Sequence, residues 1–146
     1  MPYPNWARAP YILEDIYSFK DALVFAGLLN TLLNNCDSVK IACLAQLVNV
    51  IAPIFTEKGG AAIKQATYYP FELFSNYARG ELLDILTECS QFGSKYGLVN
   101  DISCSVTHDN EKKEVCVFMV NYNAGAYDLE IELRSFGRFS CIENIL

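Results

Sequence analysis

The chain has 146 residues, 52% of them hydrophobic, which suits one ordinary globular domain or two small, tightly joined ones and excludes a disordered chain. Its formal net charge of −6, with only 11 Lys and Arg scattered along it, excludes the clustered positive charge that phosphate backbones demand. Nucleic acid is therefore not an expected partner.

The opening stretch, "MPYPNWARAPYILEDIYSF", lacks a basic start followed by an apolar core and a small-residue cleavage site, so no secretory signal is read there and a cytoplasmic location is expected. The run "ALVFAGLLNTLL" is shorter than the roughly 20 apolar residues a spanning helix needs, and no membrane partner is expected. Ser18 and Asp21 form an S-x-x-D capping signal that predicts a helix over 19–35. Its apolar residues, from Ala22 to Leu33, cover more than one face, as in a helix enclosed on most sides. After "NNCDS", residues 39–51 form a continuous apolar run of the composition of a parallel strand buried on both faces. The "TEKGG" turn precedes a second predicted helix that starts near Tyr69, with Pro70 in its first turn and Gly80 just past its end.

From Glu81 the pattern changes to short strands, predicted over 82–89, 98–107, 114–121, 127–136 and 139–145. The clearest alternation is "YDLEIELRSF", where Leu129, Ile131 and Leu133 interleave with Asp128, Glu130, Glu132 and Arg134. The links "HDNEKK" and "YNAGAY" have the composition of hairpin connections, and no internal repeat is apparent. An α/β piece is thus followed by an antiparallel β piece, and the one parallel strand over 39–51 has no evident partner within the chain. This suggests the tail of something longer.

The segment from "LEDIYSFKDALVFAGLL" through "KIACLAQLVNVIAPIF" to "YYPFELFSNYARG" resembles the late part of the α-L-arabinofuranosidases of glycoside hydrolase family 51. The similarity runs from about Trp6 to Gly80 and continues more loosely through the β region. The resemblance implies an α+β chain in which residues 1–80 are the last helix, strand and helix of a (β/α)8 catalytic barrel. Residues 81–146 would be part of an antiparallel β-sandwich of jelly-roll type, truncated at Leu146. It also implies a retaining glycoside hydrolase that releases terminal α-L-arabinofuranosyl groups from arabinan or arabinoxylan oligosaccharides. The two glutamates of that chemistry sit about 5–5.5 Å apart in retaining enzymes. The resemblance places both upstream of this chain, which then carries no catalytic residue and is inactive alone. An arabinose-containing oligosaccharide and the missing N-terminal barrel segment are the implied partners, with homo-oligomers possible in the family.

Two residues are carried across as substrate-binding candidates. Gln46 matches the family's glutamine at the mouth end of the eighth barrel strand, where an amide can donate to one sugar hydroxyl and accept from another. The alternative for Gln46 is a buried amide bonding to a neighbouring strand. Asn49, slightly further along, either shapes the same mouth or bonds to local backbone.

Other features have plainer readings. Glu14 and Asp15 are adjacent carboxylates that suit a solvated or helix-capping role better than acid/base work. Trp6, Tyr3 and Tyr11 form either a sugar-stacking platform or packing of the chain terminus, while Tyr68, Tyr69, Phe71, Phe74 and Tyr77 are read as core. The six cysteines form no CxxC pair and are expected as reduced, buried thiols, and the one histidine, His108, as an exposed turn residue. No metal and no cofactor is implied. A second reading, from a different class, is a stand-alone β-sandwich carbohydrate-binding or interaction module with a helical preface.

Overall fold

The structure is a computed structural model that describes residues 15–133 and 136–145. Two helices, α1 (Phe19–Asn34) and α2 (Tyr68–Tyr77), pack against each other and over one face of a three-stranded antiparallel sheet. That sheet has the order β3 (Glu81–Leu82), β6 (Ile102–Asp109), β7 (Glu114–Asn121). Two hairpins stand beside it: β1 (Ile54–Thr56) with β2 (Ala62–Lys64), and β4 (Gln91–Ser94) with β5 (Gly97–Asn100). The α+β class with antiparallel sheets agrees with the sequence.

Helix α1 starts where the capping signal places it. Ser18 and Asp21 form a reciprocal capping box, with the Ser18 N–H donating to Asp21 Oδ2 at 2.7 Å and the Asp21 N–H to Ser18 Oγ at 3.4 Å. The Ser18 bonds, side chain first, hold the Asp21 carboxyl below its ordinary range. Helix α2 ends at Tyr77, and Gly80 follows at φ +82°, where an added Cβ would lie 2.1 Å from the His108 carbonyl oxygen. Glycine is what lets the chain turn from helix into β3 at that close approach.

The helix–sheet seam is unusual in being polar on the sheet side. Paired residues of β6 and β7 share a face, so Ser103, Ser105 and Thr107 look the same way as Val120, Phe118 and Cys116. This is the helix side, because Phe118 stacks on Phe74 of α2 at 4.3 Å and Asn30 of α1 bonds to β6. Asn30 is fully buried. Its Nδ2 donates to Ser103 O and Ser103 Oγ, both at 3.2 Å, and its Oδ1 accepts from Ser105 Oγ. Asn34, one turn later, donates to Cys104 O at 3.0 Å. The helices join through Phe25 and Phe71, stacked 6.4 Å apart, so Phe71 and Phe74 make the expected packing contacts but are only half-buried. Tyr69 and Tyr77 are not core, since both lie on the exposed side, with the Tyr77 hydroxyl donating to Glu143 Oε2 at 3.2 Å.

The opposite face of the sheet carries Ile102 and Val106, both buried, and His108, whose ring meets Phe136 edge-on at 5.0 Å. His108 is therefore a half-buried strand residue paired with Glu81 and Val115, and the expected turn position is corrected. The predicted strand over 98–107 is broken at Asp101, whose carboxylate is buried between β5 and β6. Its Oδ2 accepts from Ser90 Oγ at 2.5 Å, from the Tyr127 hydroxyl and from Asn123 Nδ2 at 3.3 Å. These bonds, Ser90 first, hold the Asp101 carboxyl below its usual range. They also tie two irregular segments to the sheet.

Four further expectations are corrected. Residues 39–51 form no strand: the run is irregular, Ile41 and Leu47 are exposed, and Gln46, Asn49 and Val50 have φ near +60°. A parallel strand takes its ladder bonds from neighbours, and no described residues supply them. Of the predicted 82–89 strand only Leu82 pairs, together with Glu81 before it, and one more ladder bond runs from Leu83 N to Val106 O at 2.8 Å. The described parts of 127–136 and 139–145 likewise form no strand, and Leu129 and Ile131 are each 51% exposed despite their alternation. The described cysteines are all free thiols, but Cys43 and Cys141 are exposed and the other four are only half-buried. Glu14, Trp6, Tyr3 and Tyr11 lie outside the described residues.

Candidate functional site

The loop that carries Gln46 and Asn49 runs from the end of the apolar stretch into β1. Its turn is closed by backbone bonds from Asn49 N to Ile54 O at 2.8 Å and from Ala52 N to Asn49 O at 2.9 Å. Asn49 Oδ1 accepts from the Thr56 N–H at 2.7 Å and from Thr56 Oγ1 at 3.3 Å, so its carbonyl is committed to the first strand of the hairpin. That is the local-backbone role, and Asn49 also tolerates its left-handed φ of 60° better than most residues. Gln46 differs. Its Oε1 accepts only a long bond from Ile51 N, at 3.4 Å, its Nε2 has no partner among the described residues, and the side chain is exposed. The amide at the centre of the apolar run is thus not a satisfied core glutamine.

Both candidates share one loop, and the structure draws no hydrogen bond between them. Neither lines the nearby cleft of about 270 Å³, which lies between α1 and the 44–51 segment. That cleft is bounded by Tyr17, Asp21, Phe25, Leu44, Ile51 and Thr67. The buried Thr67 Oγ1 has no hydrogen-bond partner there, while Tyr17 uses its hydroxyl to donate to Ile51 O at 2.7 Å. Burial, with Asp15 and Asp21 nearby, raises the Tyr17 pKa and keeps the phenol a donor. Asp15, the described member of the adjacent carboxylate pair, is exposed and engages the loop through its backbone N–H, which donates to Val50 O at 2.7 Å.

Sequence reasoning did not single out Gln65, which follows β2 and holds this loop to the chain before α1. Its Oε1 accepts from Tyr17 N at 3.1 Å, and its Nε2 donates to Asp15 O at 3.2 Å and Ala52 O at 2.8 Å. The available signal was a lone amide before the "TYYP" helix start, which does not by itself point to a distant loop. Among the described residues, no group of three or more His, Cys, Asp or Glu is placed to hold a metal ion. No described helix is long and apolar enough to cross a membrane.

An antiparallel sheet backed by two helices, with an amide-bearing loop at its side, is a shape that comparison can place. The family described as the α-L-arabinofuranosidase C-terminal domain matches residues 2–146, and the chain belongs to that family of glycoside hydrolases. Among its relatives, the intracellular exo-α-(1→5)-L-arabinofuranosidase of Halalkalibacterium halodurans is 46% identical over 143 residues, which are 97% of this chain and 29% of that protein. The corresponding enzyme 1 of Bacillus subtilis is 44% identical, over 97% of this chain and 28% of its own length. An exo-α-(1→6)-L-arabinofuranosidase of Bifidobacterium longum is 46% identical over 95% of the chain and 27% of its own. A solved family 51 α-L-arabinofuranosidase from Bifidobacterium longum superposes with a TM-score of 0.75 at 39% identity, covering 85% of this chain and 25% of that one. The chain therefore spans less than a third of the length of these relatives.

Proposed function

We propose that this chain works as the C-terminal part of a cytoplasmic, retaining exo-α-L-arabinofuranosidase that removes terminal arabinofuranosyl groups from arabinan or arabinoxylan oligosaccharides. The observation that carries this reading is the match of 97% of the chain to only 29% of a relative named for that activity. In this reading residues 1–80 complete a (β/α)8 barrel, in which the 39–51 run contains the eighth strand, ending at Gln46 where the loop begins, and 81–146 belong to a β-sandwich. Exposed Ile41, Leu47, Leu129 and Ile131 support it, because they lie in two segments whose sequence has a strand pattern but which form no strand here. Gln46 is the substrate contact, holding an arabinose hydroxyl, and Asn49 shapes the loop beside it. The acid/base and nucleophilic glutamates come from the remainder of the enzyme, so the chain alone does not turn over.

The test is a chimera in which the upstream part of the Bacillus subtilis relative is joined to this chain. The chimera should hydrolyse an aryl α-L-arabinofuranoside and the chain alone should not. Gln46→Ala in the chimera should lower kcat/KM about 100-fold, ~2.7 kcal/mol of transition-state stabilisation. Hydrolysis by the purified chain alone that is indifferent to Gln46→Ala would overturn both the division of labour and the residue assignment. Polysaccharide binding by the chain alone, with a dead chimera, would instead favour a stand-alone binding module.

A further inference from the structure

We propose that Gln65 is the positioning residue that sets the backbone of the Gln46-bearing loop, an inference that rests on the reading of Gln46 as a sugar contact. Four consecutive carbonyls, those of Val50, Ile51, Ala52 and Pro53, are each held by a donor from outside the loop. Val50 O accepts from Asp15 N at 2.7 Å and Ile51 O from the Tyr17 hydroxyl at 2.7 Å. Ala52 O accepts from Gln65 Nε2 at 2.8 Å and Pro53 O from Gln65 N at 2.8 Å. Gln65 supplies two of the four donors directly. It fixes the other two residues as well, since its side chain bonds to Tyr17 N at 3.1 Å and Asp15 O at 3.2 Å. One half-buried amide thus uses its acceptor and two of its donors to join three separate stretches of chain.

The cradle has something to hold in place. Gln46, Asn49 and Val50 all lie at φ near +60°, and for Val50 the branched Cβ makes that region costly. Strained backbone of this kind is costly and persists only where its surroundings over-determine it. A row of four carbonyls clamped from behind is such an over-determination. In the assembled enzyme the same clamp fixes where the Gln46 amide stands.

The experiment measures backbone φ in solution on the full chain, from three-bond HN–Hα couplings and intraresidue nuclear Overhauser effects at Gln46, Asn49 and Val50. Gln65→Met keeps the length of the side chain without its hydrogen bonds, and Gln65→Glu keeps only the acceptor for Tyr17 N. Both should lose the positive-φ signature at Val50 and raise amide exchange at Tyr17 (Met) or leave it near wild type (Glu), while resonances of β6 and β7 stay in place. In the chimera, Gln65→Met should raise KM about tenfold with little change in kcat. Retention of positive φ at Val50 in both variants overturns the proposal, as does a changed φ with an unchanged KM. If Gln46→Ala also leaves kcat/KM untouched, the assignment of Gln46 is what has failed, and the φ measurement still judges the clamp separately.

Discussion

The helix–sheet unit and the segment over 122–145 carry equally clear sequence patterns, yet among the described residues only the first realises them. Helix α1 closes its own backbone bonds and needs neighbours only for its side chains, which β6 and α2 provide. The "YDLEIELRSF" alternation asks for a partner strand, and its described residues form no strand. Between them, β6 and β7 form the longest ladder, eight residues paired with eight, because the short "NEKK" link brings the two together at once. A strand pattern therefore states a requirement for company, whereas a capped helix pattern comes closer to stating a structure.

Breaking the unit that does form should have the largest effect on stability. Asn30→Ala strands the buried Ser105 hydroxyl and the Ser103 groups, so a loss of about 2–3 kcal/mol is expected by urea unfolding, and a double-mutant cycle with Ser105→Ala should show coupling. A loss below about 0.5 kcal/mol would show that the apolar contacts alone hold the seam. The buried Asp101 network gives an intermediate effect with a defined sign. Because the carboxyl pKa is lower folded than unfolded, its contribution is present above the ordinary Asp value of about 3.9 and is lost as pH falls through the folded value. Urea midpoints measured from pH 6 to pH 2 should fall less steeply for Asp101→Asn than for the wild type. Smallest is the response of the segment that forms no strand. Leu129→Asp and Ile131→Asp should each change the stability of the chain by less than about 0.5 kcal/mol, and by about 2 kcal/mol or more in the chimera if the proposed sandwich supplies a neighbouring strand there. Equal effects in both proteins would erase the contrast between the two regions.

Much of this was legible in the residues themselves. Ser18 and Asp21 announced the start of α1, Gly80 the stop after α2, and the composition of β7 its strand. Phe71 and Phe74 were readable as packing residues, but Tyr69 and Tyr77 were not separable from them, since an aromatic at helical spacing does not say which face its neighbours cover. The polar stripe Ser103, Ser105, Thr107 reads as a solvent face until Asn30, more than seventy residues away, is known to meet it. Asp101 likewise looks like a turn residue, because its partners Ser90, Asn123 and Tyr127 converge only in space. In the candidate site, Gln46 was conspicuous as an amide in an apolar run. Gln65 was not, because its significance lies in the carbonyls it collects rather than in any local pattern.

The seam between α1 and β6 has a mechanical consequence. Apolar layers can slip past one another in small increments, but the Asn30 bonds to Ser103 and Ser105 are short-ranged and directional, so displacement along the strand breaks them together. With Gly27 leaving no room for a side chain beneath Tyr122, the helix is pinned in height as well as in register. A push on one end of α1 is then transmitted to the sheet as the swing of a rigid lever, and not absorbed as creep between layers.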